Sequence, residues 1–595
     1  MNEQATTATA KKTAKPAEPL PEGAPAALSS YVAARVFGVE DVSAVATLVG
    51  MAARAGQEPP ADVRCWVALC LAMRAPRDGH TCVFLDQVAT LVADVELGEA
   101  TAPDWPTTEN ENEWKLVLDT AGPLVGEPGG RTPFVRDGNR LYLGRCHYEE
   151  EKIAERLVGD SGHDVEILLG GPGTGKTTEV AKRLIELIRL KPETRVALAA
   201  PTGKAAARMA EALQSRLHDP DAPAEVRNAA PAVRQKVDEL SPQTIHMLVG
   251  YRPFGAPRYK FNATTRLDYD FVVVDEASML SSSLMHHLLA ALGPDTQLLL
   301  VGDPDQLASV DAGSVLGDIA AAGKAGARLA SRTHTLTIRH RFGLRIGALA
   351  DAILLGEAGV AQAFDVLEGR WTPPPPAVGE PPPKPDHVRW IRPGTKAARD
   401  LEAEVVDHAR ELGRLVESGD LKAAVDFQKT LQVLCAHRSG TSGVAGWNAL
   451  VERKLSVSGG SPWYLGRPIM VTRNNRALGL NNGDVGVVVP VAGEDRLDAG
   501  FPTGKEPRRV PVSRLEDVET VHALTIHKSQ GSEYGHAIVV LPEKPSRILT
   551  RELLYTGVTR ARDTVTIVGS REVIEAAIKR PIRRATGLAE RLRRA

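Results

Sequence analysis

The segment from Gly170 to Thr177 constrains this chain more than any other part of it. It reads Gly-Gly-Pro-Gly-Thr-Gly-Lys-Thr and directly follows the apolar run at residues 165–169. A glycine-rich turn between a strand and a helix is typical of a phosphate-binding loop, whose backbone N–H groups converge on a polyphosphate. Helical spacing from Thr178 onward adds the positive end of a helix dipole. We therefore expect a nucleotide to bind at this turn.

Two side chains of the loop have separate expected roles. Lys176 would add a positive charge between the β- and γ-phosphates, and Thr177 would offer its hydroxyl to Mg²⁺. The alternative is a glycine-rich turn that binds no ligand. We expect ATP as the nucleotide, bound by Gly170, Gly171, Pro172, Gly173, Thr174, Gly175, Lys176, Thr177 and Thr178.

A second apolar strand ends in two carboxylates. Residues 271–276 read Phe-Val-Val-Val-Asp-Glu, about 100 residues after the loop. Asp275 is placed to hold Mg²⁺ through water, and Glu276 to orient and deprotonate the attacking water. Taken alone, the same letters also describe a strand that runs into an acidic turn. Their position behind a phosphate-binding loop favours the catalytic interpretation.

Three further polar residues complete the expected catalytic set. Gln306 follows the apolar run at 298–301, and we expect its amide beside the γ-phosphate. Arg341 and Arg560 lie in the second half of the chain. A guanidinium that reaches in from a facing domain can neutralise charge on the transferred phosphoryl group. Each arginine taken singly is more often a surface or salt-bridged residue.

Short apolar segments alternate with helical ones from residue 164 onward, which predicts a parallel sheet covered by helices. The expected strands are 167–169, 196–199, 271–274 and 298–301. A second α/β block follows, and its residues 461–515 are dense in short strands and turns, which predicts a small inserted β-barrel. The predicted fold class is therefore α/β, with two parallel-sheet motor domains.

The N-terminal part predicts other structure. Residues 1–26, rich in Ala, Pro, Thr and Lys, are expected to form a disordered tail, and residues 27–159 a helical domain without catalytic groups. Five scattered cysteines indicate reduced buried thiols, with a metal site from the first four as the alternative. Without a signal peptide or a long apolar run, we expect a soluble intracellular protein that contacts no membrane. The net charge of −2 limits any DNA contact to a local groove.

The ordered motifs resemble those of superfamily 1 helicases and, within them, the RecD family of RecBCD-type helicase–nucleases. The resemblance covers roughly residues 80 to 590. The motifs that carry it are residues 170–177, 200–206 (Ala-Pro-Thr-Gly-Lys-Ala-Ala), 244–246, 274–279, 302–307, 340–342 (His-Arg-Phe), 525–533 (Thr-Ile-His-Lys-Ser-Gln-Gly-Ser-Glu) and 558–562 (Val-Thr-Arg-Ala-Arg), together with the segments 139–143, 440–448, 466–474 and 583–588.

The resemblance implies two RecA-like motor domains, at 160–340 and 341–595, with ATP in the cleft between them and an SH3-like barrel inserted in the second. It implies 5′→3′ movement on single-stranded DNA, action at duplex ends during double-strand-break repair, and RecB- and RecC-like partners in a heterotrimer, docked through residues 27–159. Two alternatives stay open: a stand-alone 5′→3′ helicase, or a structural subunit with a vestigial ATPase. The positions implied for the DNA track are Thr202, His246, Thr525 and His527, while Gln530 would lie near the phosphates and Glu533 at the ribose.

Two segments remain ambiguous, and one expected residue is missing. Residues 251–261, within a hairpin insertion expected at 248–268, interleave aromatic and basic residues, as in a strand-separating wedge or an ordinary packed hairpin. Residues 571–595 hold eight Lys or Arg against three Glu, which predicts docking on DNA or a partner, or a solvated helix face. Residues 148–157 lack the glutamine that reads adenine in many relatives, so base selectivity is not predicted.

Overall fold

The structure, a computed structural model, describes residues 19–93, 111–158, 164–255, 257–324, 326, 328–338, 342–374, 384–457, 462–475, 477–494, 496–502 and 507–594. Two parallel sheets covered by helices form a first block, residues 164–338, and a second block, residues 342–579. An N-terminal unit, residues 19–158, precedes them. This arrangement confirms the mixed α/β class with a helical N-terminal region.

The N-terminal unit combines helices with a small sheet. Its elements are α1 Leu28–Ala33, α2 Val39–Arg54, α3 Val63–Arg74, β1 Cys82–Phe84, α4 Val88–Ala93, α5 Glu111–Asp119, β2 Val125–Gly126, β3 Phe134–Asp137, β4 Arg140–Leu143 and α6 Gly144–Val158. The strand order is β1-β4-β3-β2. The expectation of a helical domain missed this sheet, because its strands are only two to four residues long.

The expected tail over residues 1–26 was too long. Residues 19–26 form turns that lead into α1, and Leu20 and Ala24 pack against the N-terminal core. Those two apolar side chains bury enough surface to order the segment next to α1. Residues 1–18, the rest of the expected tail, lie outside the described residues.

The first block is built on a six-stranded parallel sheet in the order β10-β5-β9-β8-β6-β7. All four expected strands are present. Because the strands are parallel, the loops that follow them meet at one edge, where ligands of such sheets bind. The elements are β5 Val165–Gly170, α7 Lys176–Leu190, β6 Val196–Ala200, α8 Gly203–Leu217, α9 Ala224–Arg227, α10 Pro231–Asp238, β7 Gln243–Thr244, α11 Ile245–Leu248, β8 Phe271–Val274, α12 Ser282–Ala291, β9 Gln297–Gly302, α13 Val315–Lys324 and β10 Thr333–Leu336.

The second block holds a five-stranded parallel sheet in the order β11-β20-β19-β12-β18 and an inserted antiparallel sheet in the order β16-β15-β14-β13-β17. The insert reaches Thr520, five residues beyond the expected end at 515, because β17 pairs with β13. The elements are α14 Leu344–Leu354, α15 Val360–Leu367, β11 His387–Ile391, α16 Lys396–Glu417, α17 Leu421–Gln428, β12 Leu431–Cys435, α18 Val444–Lys454, β13 Pro468–Val471, β14 Val485–Pro490, β15 Leu497–Phe501, β16 Arg508–Pro511, β17 Val518–Thr520, β18 Ala523–Thr525, β19 Tyr534–Val540, α19 Arg551–Val558, β20 Ala561–Val568 and α20 Arg571–Lys579.

The last helix, α21 Leu588–Arg594, returns to the first block. It packs against α13 and α6, and Leu588 and Leu592 are fully buried in the core beneath the first sheet. The expected second motor domain at 341–595 was therefore too long at its C-terminal end. One basic residue of this helix, Arg591, bonds within the chain, where it pairs with Asp137 at 2.6 Å.

Other expectations concern the cysteines and the membrane. All five cysteines are buried and free, and burial raises the pKa of the Cys65 thiol to about 12. Within the described ranges, no group of three or more His, Cys, Asp or Glu side chains could hold a metal ion. No helix in the described part of the chain is long and apolar enough to cross a membrane.

Candidate active site

The glycine-rich loop occupies the predicted turn between β5 and α7. Gly173 and Gly175 have φ angles of 78° and 87°, a left-handed conformation that glycine adopts without steric cost and that folds the loop back on itself. Lys176 Nζ donates to the carbonyl oxygens of Gly170, at 2.5 Å, and Gly171, at 3.0 Å. The ammonium group therefore lies against the loop backbone, where a phosphate-binding lysine is required.

The other loop residues support this turn. Thr174 Oγ1 donates to the Gly171 carbonyl oxygen at 2.9 Å, which closes the loop from inside. Pro172 is buried, and Thr177 and Thr178 follow Lys176 in the first turn of α7, both half-buried. The backbone N–H groups of this first turn lack partners within the helix and are available to an anion.

Two carboxylates lie at the same edge of the sheet. Asp275 directly follows β8, and its Oδ1 accepts a hydrogen bond from the Glu276 N–H at 2.8 Å. Burial and the charge of Glu276 raise the pKa of Asp275, while the Lys176 ammonium opposes that rise, so the loop and the acid strand share one electrostatic environment. Glu276 has a φ of 53°, a strained backbone for a residue with a side chain. Such strain costs about 1–3 kcal/mol and clusters at functional sites.

Arg560 of the second block reaches the first block. Its side chain is buried, and Nη2 donates to Gln306 Oε1 at 3.0 Å. Nε donates to the Thr556 carbonyl oxygen at 3.0 Å, and Nη1 to that of Ser532 at 3.3 Å. Burial lowers the pKa of Arg560 and the charge of Glu276 opposes this shift, so the guanidinium is within electrostatic reach of the acid pair. Two residues predicted separately, 254 positions apart, thus meet.

A buried carboxylate extends this contact between the blocks. Asp303 Oδ2 accepts from Gln306 Nε2 at 3.0 Å and from the Tyr555 hydroxyl at 3.2 Å. The Leu307 N–H donates to Thr556 Oγ1 at 3.2 Å. Burial raises the pKa of Asp303, and the nearby charge of Lys176 opposes the rise. Sequence reasoning did not single out Asp303, Tyr555 or Thr556. Asp303 lies in the recognised motif 302–307, and Tyr555 and Thr556 lie just before the recognised motif 558–562, so their position near Gln306 and Arg560 was the available signal.

Gln530 and Glu533, which are expected at the phosphates and the ribose, lie at the same contact between the two blocks. Gln530 Nε2 donates to the Leu307 carbonyl oxygen at 3.1 Å, so its amide joins the two blocks. Glu533 Oε1 lies 3.9 Å from Arg208 Nη1 on α8. Both side chains therefore bond to the first block from the segment before β19.

The four expected DNA-track residues lie at the carboxyl edges of the two sheets. Thr202 follows β6 and caps α8, with Oγ1 accepting from the Ala205 N–H at 3.2 Å. His246 lies on α11, directly after β7, and is exposed. Thr525 ends β18 and His527 follows it, half-buried, with a pKa lowered mainly by burial. Each block thus contributes one threonine and one histidine to the expected DNA track.

Comparison with known proteins agrees with this geometry. Three family models match: the N-terminal domain of RecBCD enzyme subunit RecD at residues 44–142, an AAA domain at 155–312, and a UvrD-like helicase C-terminal domain at 520–568. The RecBCD enzyme subunit RecD of Mycolicibacterium smegmatis is 40% identical over 581 residues, which cover 90% of this chain and 94% of that protein. The chain belongs to the RecD family.

Other relatives agree with this assignment. RecBCD enzyme subunit RecD of Mycobacterium tuberculosis is 37% identical and covers 93% of this chain and 95% of its own length. The ATP-dependent RecD2 DNA helicase of Deinococcus radiodurans is 31% identical over 75% of this chain, but only 52% of that protein is covered. As a RecD-family member, the chain is a DNA helicase with ATPase activity.

One expected residue of this RecD-family chain is not placed. Arg341 lies outside the described residues, so its distance from the loop is not part of the site geometry. Lys176, Asp275 and Arg560 present the cation, the carboxylate and the second cation that a nucleoside triphosphate with a divalent metal requires. The donor set therefore fits the expected nucleotide.

Proposed function

We propose that this chain is the 5′→3′ single-stranded-DNA translocase subunit of a RecBCD-type helicase–nuclease that processes DNA double-strand breaks for recombinational repair. The observation that carries the proposal is the bond from Arg560 to Gln306 beside the Lys176 loop. Because catalytic groups come from both blocks, the rate of ATP hydrolysis depends on the relative position of the two blocks. This dependence can couple hydrolysis to stepping along single-stranded DNA.

In this proposal the loop residues Gly170–Thr178 bind ATP, and Thr177 and Asp275 hold Mg²⁺. When bound, the metal neutralises charge on the β- and γ-phosphates. Glu276 orients the attacking water and accepts its proton, because its carboxylate lies next to Asp275 at the sheet edge. Arg560, together with Arg341, stabilises charge on the transferred group, and Gln306 links Arg560 to the first block. Gln530 and Glu533 act from the second block on the phosphates and ribose.

The DNA would cross the carboxyl edges of both sheets. Thr202 and His246 from the first block, and Thr525 and His527 from the second, suit contacts to phosphate and sugar, which carry no sequence information. We assign RecA-like folds to the two blocks and an SH3-like barrel to the insert. The hairpin at 248–268 is proposed as the strand-separating wedge, because Phe254 at its tip is fully exposed.

RecB- and RecC-like partners are proposed from the extent of the family match. The alignment covers 94% of the mycobacterial subunit but only about half of the D. radiodurans helicase, which favours a subunit over a stand-alone enzyme. The N-terminal unit supplies none of the catalytic candidates and is therefore the proposed docking region. Co-expression with RecB- and RecC-like chains should yield a heterotrimer. Separate elution of this chain would contradict this part of the proposal.

The motor assignment is tested by hydrolysis and unwinding together. Lys176→Gln should abolish the ATPase activity that single-stranded DNA stimulates, because the loop loses its cation. Lys182→Gln, on the same helix, is the matched control and should behave like the unmodified protein. A duplex with a 5′ tail should be unwound and one with a 3′ tail should not. Unwinding only from 3′ tails would reverse the direction, and full hydrolysis by the Lys176 variant would exclude this site.

A further inference from the structure

The exposed hairpin has little support of its own. Tyr251 and Tyr259 form an isolated antiparallel bridge, and the Arg252 N–H donates to the Arg258 carbonyl oxygen at 2.7 Å. Phe254, at the tip, has no contact that shields it from solvent. A single two-stranded hairpin is marginally stable in water. A hairpin that resists a DNA duplex therefore needs an anchor on the body of the protein.

The anchor is a row of aromatic rings at the hairpin base. The Tyr259 ring stacks on His287 of α12, with centroids 3.9 Å apart and an interplanar angle of 27°. Tyr251 lies against Tyr259 at 5.2 Å, and its other side meets His246 edge-on at 5.3 Å. The row thus joins the hairpin to α12 at one end and to a proposed DNA-track residue at the other.

Helix α12 is a firm support. Met285, Leu288 and Leu289 of this helix are buried in the core beneath the first sheet, and the helix packs against α6. Burial lowers the pKa of His287, so its ring is neutral at pH 7 and stacks as an uncharged aromatic. Tyr259 also packs against this core. Each aromatic pair contributes about 0.5–1.5 kcal/mol beyond its buried area.

We propose that Tyr259 and His287 are positioning residues for strand separation. The stack of their two rings holds the hairpin, including Phe254, in a fixed position relative to His246. This inference rests on the proposed helicase function and adds residues outside the motor motifs. Neither residue touches the nucleotide site. Their loss therefore leaves hydrolysis intact and weakens only the step in which the hairpin meets the duplex.

The test compares His287→Ala with the ring-preserving His287→Phe and with His286→Ala as the matched control. His286 is the neighbouring histidine: its ring contacts Tyr148 at 5.6 Å and the edge of His287 at 5.2 Å, whereas the Tyr259 ring of the hairpin stacks on His287. We expect His287→Ala to slow unwinding of a 5′-tailed duplex about 2- to 10-fold, the factor that corresponds to one lost aromatic pair. ATPase activity stimulated by single-stranded DNA should stay unchanged, and His287→Phe should restore unwinding.

A second measurement tests the anchor in the absence of DNA, by limited proteolysis. Arg258 is exposed beside Tyr259, and trypsin should cut after it faster in His287→Ala than in the unmodified chain or in His286→Ala. Equal cleavage and equal unwinding would overturn the inference. So would a parallel loss of ATPase and unwinding, which indicates general damage. If the unmodified complex hydrolyses ATP but unwinds neither tailed duplex, the proposed function itself fails. That outcome is distinguishable from failure of the anchor alone.

Discussion

Replacing Arg560 by alanine should stop ATP hydrolysis while nucleotide still binds. The guanidinium donates to three neutral oxygens, those of Gln306, Thr556 and Ser532. Among the residues that the structure describes, no carboxylate lies within ion-pair distance of it. Its charge is therefore not neutralised by a salt bridge and remains available to an anion in the cleft.

The size of the effect follows from the role of such a group. An arginine that stabilises a phosphoryl-transfer transition state contributes roughly 10³–10⁵ in kcat. Loss of its three hydrogen bonds also leaves acceptors unpaired, at a net cost of about 1 kcal/mol each. Arg560→Lys keeps the charge but not the planar guanidinium, so its kcat should lie between that of the unmodified protein and that of Arg560→Ala. Because the Arg560 side chain is buried, its truncation also leaves a cavity, and the Tm of each variant is therefore measured beside its activity.

The assay measures kcat for ATP with saturating single-stranded DNA, and separately the Kd of a fluorescent ATP analogue. Arg562→Ala is the matched control, because its exposed side chain lies two residues further on. We expect a large loss of kcat with little change in Kd for Arg560→Ala, and neither change for the control. If Arg560→Ala keeps kcat within about tenfold of the unmodified protein, well short of the factor expected of such an arginine, the reasoning is refuted.

Three further predictions concern Glu276, Asp318 of α13 and Leu588 of α21. Glu276→Gln should lower kcat by roughly 10²–10⁴, the usual contribution of a general base, without weakening ATP binding in the same analogue assay. Burial raises the pKa of Asp318 to about 7, so the folded state binds the proton more tightly than the unfolded one, and this stabilisation is lost as the pH rises through 7. In urea titrations, the free energy of unfolding of the unmodified chain should therefore fall between pH 6 and 8. In Asp318→Asn this fall should be smaller by about 1 kcal/mol. An unchanged pH profile would contradict the assignment. Leu588→Ala should cost about 2–5 kcal/mol, because its side chain is fully buried, and should lower Tm.

Strands of the first block could be predicted closely from the sequence. This holds for four of the six, β5, β6, β8 and β9, which are largely apolar runs of four to six residues. The other two were not predicted, because β7 has only two polar residues and β10 reads Thr-His-Thr-Leu. Continuous apolar runs are what a parallel sheet covered on both faces requires. The N-terminal sheet could not be predicted in this way. Its strands carry no apolar alternation long enough to be recognised, although Gly138 and Asn139, the two-residue turn between β3 and β4, are a hairpin signal that went unused.

The proposed catalytic residues illustrate a different limit of sequence-based prediction. Gln306 and Arg560 could each be predicted from their motifs, but no local pattern indicates a bond between two side chains 254 positions apart. The same holds for Asp303 and Tyr555, whose bond is also a contact between blocks. Sequence patterns report which residues share a strand or helix face. They do not report which of two facing loops a polar side chain will bond to.

The C-terminal segment makes contacts within the chain that its charge alone does not indicate. Gly587 N–H donates to both carboxylate oxygens of Glu150, and Thr81 also donates to that buried carboxylate. The Arg584 guanidinium donates to the Ser309 carbonyl oxygen at 2.7 Å. Arg584 and Arg591 therefore bond inside the chain and tie its C-terminal end to the first block and the N-terminal unit, while the other six basic residues of the segment are exposed. Because α20 packs with the second sheet and α21 with the first, the eight residues between them must bend whenever the two sheets change their separation. The segment is therefore a second connection between the two blocks besides the contact of Gln306 with Arg560, and the hydrogen bonds from Gly587 to Glu150 extend it to the N-terminal unit.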